Sequence, residues 1–211
     1  AGIADLAGNP LLPLPPFSAS RFITGVDATD STPLTVVSMS PVDTDTGVPI
    51  NAPVVLKFSK SVAPTTVNGA TVVVTGSSGP TVGTVTFEQN NQLARWRPAN
   101  LIQFAPNTLH TVSVSTGVTD LAGVPMAASF GGSFTTGAGA DTTIPTIISS
   151  NPVNNASGVS RLTTIAVTMS EPINPATVVV GSTVLISGPG ASFAGSVPGA
   201  VTVSPDRRTI T

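Results

Sequence analysis

The chain of 211 residues has no cysteine and no tyrosine, a single tryptophan and a single histidine. Without cysteine there are no disulfide staples and no thiolate metal sites. Aromatic residues make up 4% of the chain and charged residues 9%, and the formal net charge is −2. That balance offers no electrostatic footprint for phosphate backbones or anionic membranes, which argues against nucleic acid as a partner. The pairs Arg95/Arg97 and Arg207/Arg208 are too few for a basic patch and read as solvated strand or turn residues. Long apolar runs are missing too. The uncharged segment from Pro172 to Pro205 is broken every few residues by Gly, Pro or Ser, whereas a spanning helix needs about 20 apolar residues in a row. No basic stretch followed by an apolar one opens the sequence, so no signal peptide is expected in this piece.

Catalytic patterns are equally scarce. There is no HExxH, no GxSxG and no Walker loop, and "GAGAD" (Gly137 to Asp141) and "GPG" (Gly188 to Gly190) fail the GxGxxG spacing. One histidine and ten thinly spread carboxylates make no general acid/base pair. The chain therefore reads as a non-enzyme. What it does have is 20 Gly, 20 Pro and abundant Thr, Ser and Val, the ingredients of many short strands rather than long helices.

The chain repeats itself. "SPVDTDTGVPINAPVVLKFSKSVAPTTV" (Ser40 to Val67) overlays "NPVNNASGVSRLTTIAVTMSEPINPATV" (Asn151 to Val178) at one offset of 111 positions, with Pro41 on Pro152, Gly47 on Gly158 and Pro64 on Pro175. "DLAGNP" from Asp5 and "DLAGVP" from Asp120 recur in the same way, as do "RFITG" from Arg21 and "SFTTG" from Ser133. A fixed offset over so many positions is a structural repeat rather than compositional bias. The expected organisation is the end of a preceding repeat over 1–25, a linker over 26–32, a complete repeat over 33–137, a linker over 138–144, and the front part of a further repeat over 145–211.

Within the complete repeat the alternation has period two. Val54, Leu56 and Phe58 are expected to face a core, with Val55, Lys57 and Ser59 facing away. Ile165, Val167 and Met169 repeat the inward set. Further strands are expected at Thr35 to Met39, Thr71 to Thr75, Thr81 to Phe87, Leu93 to Arg97, Thr111 to Ser115 and Gly132 to Thr136. About seven short strands in about 105 residues predict an all-β fold of tandem immunoglobulin-like Greek-key sandwiches, one complete and two partial. One helical turn is expected after the second strand. Asn174 can cap it and Pro175 can open it, whereas the earlier copy has Ala63 at the capping position.

The order "TGVPINAPVVLKFS … WRPAN … PNTLHTVSV … GVTDLAGVPM … SFTTG" resembles the bacterial Ig-like domains of the SbsA type, found in tandem in S-layer and other large secreted surface proteins. The resemblance implies an extracellular or cell-surface location. It also implies a structural role, with the repeats as spacers or as units of a self-assembling lattice or fibre. An adhesin or carbohydrate-binding module, presenting loops at one end of the sandwich, is the alternative. Neighbouring repeats are the expected partners, and donation of a strand between copies in a head-to-tail filament would join one molecule to the next. Where members of the family carry Tyr after "PNT", this chain has His110. It is expected half-buried, in phase with Val112 and Val114, with a ring nitrogen bonded to backbone. Trp96, in phase with Ala94, is expected in the core, its other role being a platform for a sugar.

In "DLAGxP" the Gly can take positive φ, the Asp can bond its own downstream backbone, and the Pro stops further pairing, so the phrase reads as a turn into the last strand. Asp5 and Asp120 lack the partners that catalytic acids require. Calcium is the one cofactor weighed, with Asp27, Asp30 and Asp141 at the two linkers as candidate ligands and Asp43 and Asp45 in a loop close by. The competing reading of these residues is ordinary Asx turns. The sequon at Asn155 reads as a turn.

Overall fold

The structure, a computed structural model, describes residues 30–99, 103–178, 183–184 and 199–211. The expectations placed on 1–25, with Asp5, and on Asp27 lie outside these residues. The described residues form strands and one-turn 3-10 helices in three sheets, without an α-helix. No helix among them is long and apolar enough to cross a membrane.

Residues 34 to 136 make a two-sheet sandwich. Strands β1 (Val36–Ser40), β3 (Val54–Phe58), β7 (Leu93–Pro98) and β6 (Gly83–Glu88) form one sheet in the order β1-β3-β7-β6. The other sheet runs β2-β9-β8-β4-β5, from β2 (Asp45–Val48), β4 (Val72–Gly76), β5 (Gly79–Thr81), β8 (Leu109–Val114) and β9 (Phe130–Thr136). All pairings are antiparallel except β2 with β9. The core lies between the sheets. Val54, Leu56, Phe58, Val72, Val74, Val112, Val114 and Phe134 are buried there, as period-two strands require. Each such side chain, fully buried, stabilises the fold by about 1.5–3 kcal/mol.

The structure departs from the sequence reading at three points. The single strand expected over 81–87 is two strands in different sheets, because the chain crosses from one sheet to the other at exposed Val82. Strand β2 has no expected counterpart. Val55, expected to face away from the core, does so and is nevertheless completely buried, since residues of the following repeat cover it.

The second repeat reproduces the first in register. Strand β10 (Ile147–Asn151) pairs with β11 (Ala166–Met169), with Ile147 on Met169 and Asn151 on Ala166. These are the positions of Val36 on Phe58 and Ser40 on Val55, 111 residues on. The irregularity after Val36 recurs after Ile147. Gly47 (φ 68°) and Gly158 (φ 66°) share the left-handed turn that a side chain would strain. Strand β12 (Thr209–Ile210) pairs with β11 as β7 does with β3. Ile165, Val167 and Met169, expected inward, are not fully buried, with Ile165 42% exposed where Val54 is 0%. Among the described residues no second sheet closes over this face.

Candidate functional site: the junction between repeats

The linker does not run free between the repeats. Gly137 N–H donates to the Val48 carbonyl (2.7 Å) and Ile50 N–H to the Gly139 carbonyl (3.2 Å). The Asn51 amide then clamps Asp141, donating from Nδ2 to its carbonyl (2.6 Å) and accepting its N–H at Oδ1 (3.1 Å). Beyond the linker, the 3-10 turn Pro175–Thr177 is capped by Asn174, whose side chain accepts the Ala176 N–H at 3.0 Å. The matching turn Pro64–Thr66 has Ala63 before it and no side-chain cap.

The capped turn packs on the outer face of the first sandwich, where Ala176, Val55 and Leu93 form a small buried cluster apart from the main core. Burying Val55 and Leu93 is worth about 1.5–3 kcal/mol each. Beside them the Arg207 guanidinium grips the Asp45 carboxylate with both ends, Nη1 to Oδ2 at 2.5 Å and Nη2 to Oδ1 at 3.0 Å. Both groups are partly exposed, which limits the pair to about 1 kcal/mol. A cleft of about 410 Å³ opens here, lined by Asp45, Gly47, Pro49, Asp141, Asn174 and Arg207 among others.

Residues 30–136 and 141–211 each match the family model described as bacterial Ig-like domain. The chain belongs to the bacterial Ig-like domain family. No curated protein matches it. Among solved structures it is similar to surface layer protein SbsC, domains 1-6, at 17% identity and TM-score 0.40, over 57% of this chain and 15% of that one. It is also similar to E. coli alpha-2-macroglobulin, at 19% identity and TM-score 0.39, over 55% of this chain and 6% of that one. It thus spans a small part of either protein's length.

At this Ig-like junction the calcium candidates are engaged in turns and pairs. The Asp141 carboxylate accepts the Thr143 N–H at 2.8 Å, an Asx turn. Asp43 accepts the N–H (2.8 Å) and hydroxyl (3.3 Å) of Ser133 on β9. Asp45 is held by Arg207, and Asp30 is exposed at the start of the described chain. A calcium ion needs six to eight oxygens. Among the described residues no group of three or more His, Asp or Glu side chains is gathered that could hold a metal.

The remaining candidates sit inside the first Ig-like repeat. Trp96 is 2% exposed and stacks on Phe104 at 5.8 Å, so no ring face is presented to a sugar. His110 is buried rather than half-buried, between Phe104 (4.7 Å) and Phe134 (5.3 Å), and neither ring nitrogen has a hydrogen-bond partner of good geometry. Burial lowers its pKa below the usual histidine value, and the Ala105 backbone partly opposes the shift. Asp120 is buried at the recurrent turn, where Oδ1 accepts the N–H groups of Ala122 (2.9 Å) and Val124 (2.8 Å) and Gly123 takes φ 85°. Its Oδ2 receives the Lys60 ammonium at 2.7 Å. Burial alone would raise the Asp120 pKa, but Lys60 and the two N–H donors outweigh it and hold the carboxyl below the usual range. Neither Lys60 with Asp120 nor Asp45 with Arg207 carries a local sequence signal, being 60 and 162 positions apart.

Proposed function

We propose that the chain is a non-catalytic structural segment of a large secreted bacterial surface or filament protein, with its Ig-like repeats as serial spacer or lattice units. The observation that supports this reading is the serial joining of two repeats of one design through a buried junction cluster. Neighbouring repeats are its partners. Strand donation between copies is the assembling form of the same reading, and a monodisperse monomer by light scattering at high concentration excludes that form. The carbohydrate-binding alternative loses its aromatic platform with Trp96 in the core.

The test is surface labelling of intact cells that produce the native protein, with an antibody raised against residues 33–137. Labelling without lysis is the expected result. Signal confined to lysed cells overturns the reading.

A further inference from the structure

Serial domains on a flexible linker behave as independent beads, and relative motion is the default expectation for a small, polar interface. This junction departs from that default in three independent ways. An apolar side chain on the outer face of the first sandwich, Val55, is fully buried, and it is buried by the second repeat. A two-pronged ion pair crosses from Asp45 to Arg207. The linker itself is tied down by Asn51 at Asp141 and by the backbone at Val48 and Ile50.

The two halves of this contact are not part of the repeat. At the 111-residue offset the second repeat has Ala156, Leu162 and Ala166 where the first has Asp45, Asn51 and Val55. Conversely, the first repeat has Ala63 and Thr65 where the second has Asn174 and Ala176. Arg207 also has no equivalent cation. Met169 N–H donates to the Arg208 carbonyl as Phe58 N–H donates to that of Gln92, which places Arg207 at the position of Asn91. Asn91 and Arg207 share the same left-handed backbone, φ 64° and 60°. The fold and even the turn are common to both repeats, while the complementary side chains belong to this junction alone.

We infer that the outer face around Asp45, Val55 and Leu93 is a docking surface keyed to the Ala176 and Arg207 side of the following repeat, and that it locks the two repeats into one rigid body. A junction of this kind fixes the relative orientation of two repeats at one place in an array, and adjacent junctions built on the unmatched residues do not share it. The inference concerns the geometry of the joint and stands whether or not the protein is displayed on a surface.

The absence of native cysteine makes the test direct. Val82 and Leu162 are exposed, one in each repeat, and both are replaced by cysteine and spin-labelled for pulsed dipolar distance measurement on the full chain. A single narrow distance distribution is expected. Arg207→Glu combined with Ala176→Asp is expected to broaden it several-fold, and Asp45→Lys alone to broaden it less. The exchange pair Asp45→Arg with Arg207→Asp restores the narrow distribution. Circular dichroism and melting check that each variant keeps its strands; if the combined variant unfolds, Asp45→Lys, a change at a partly exposed side chain, carries the decision. A broad distribution in the unsubstituted chain overturns the inference, as does a narrow one unmoved by these changes.

Discussion

Gly83 lies flat against the indole of Trp96, so close that a Cβ built on it would stand 2.1 Å from Cε2 and 2.2 Å from Cζ2 of the ring. The glycine is needed for space rather than for conformation, because Trp96 fills the core beneath the edge strand β6 and cannot retreat without displacing Phe104.

Gly83→Ala is therefore expected to cost about 2–3 kcal/mol through overpacking. Chemical denaturation followed by Trp96 fluorescence reads this directly, since the probe is the residue that must move. An unchanged midpoint contradicts the packing described.

At the recurrent turn, Asp120→Ala strands the N–H groups of Ala122 and Val124 and leaves Lys60 without its carboxylate. A loss of about 2–3 kcal/mol is expected, and Asp120→Asn, which keeps an acceptor, loses less. Because the folded pKa lies below the unfolded value, this stability is fully present above about pH 4 and disappears as pH falls through the folded pKa. Lys60→Met shrinks that acid dependence, which urea titrations at several pH values below 5 would show.

His110 adds a second pH dependence. Its folded pKa is depressed, so above about pH 6.5 the imidazole is neutral in both states and contributes nothing. As pH falls below that value the unfolded chain takes up a proton that the buried ring refuses, and stability declines until the folded pKa is reached. His110→Phe is expected to abolish the decline between pH 6.5 and that point, and a parallel decline in the variant rules out this assignment.

Asn174→Ala removes the cap on the turn that carries Ala176 into the junction. The expected cost is about 1 kcal/mol, seen as earlier hydrogen exchange at the Ala176 and Thr177 amides with the core between the sheets of the first repeat unaffected.

The strands of the complete repeat could be read in advance because their side chains alternate between a core and solvent, a contrast that Val54, Leu56 and Phe58 state plainly. The turn at Asp120 was legible for a different reason: Asp, Gly and Pro each permit a narrow set of backbone angles. Strand β2 offered neither signal. It is four residues with a glycine inside, and its pairing partner lies some 90 positions downstream. The crossing at Val82 was hidden because an unbroken period of two continues through a change of sheet. Val55 looked like a solvent-facing residue, and within its own sandwich it is one. What buries it is a turn more than a hundred positions later, and no local window contains both. For the same reason the Asp45 and Arg207 pair was invisible, whereas the isolation of His110 and Trp96 as single residues of their kind drew notice to the core they occupy.

The parallel pairing of β2 with β9 has a mechanical consequence. The chain passes from β1, which is paired in the other sheet, directly into β2 and leaves the repeat directly after β9, and bonds such as Thr44 N–H to the Ser133 carbonyl and Gly137 N–H to the Val48 carbonyl tie the two segments together. Once β1 has parted from β3, tension along the polypeptide drags these segments past each other lengthwise, so the bonds resist as a group and rupture together. An antiparallel ribbon at the same place would peel open one rung at a time under a far smaller load.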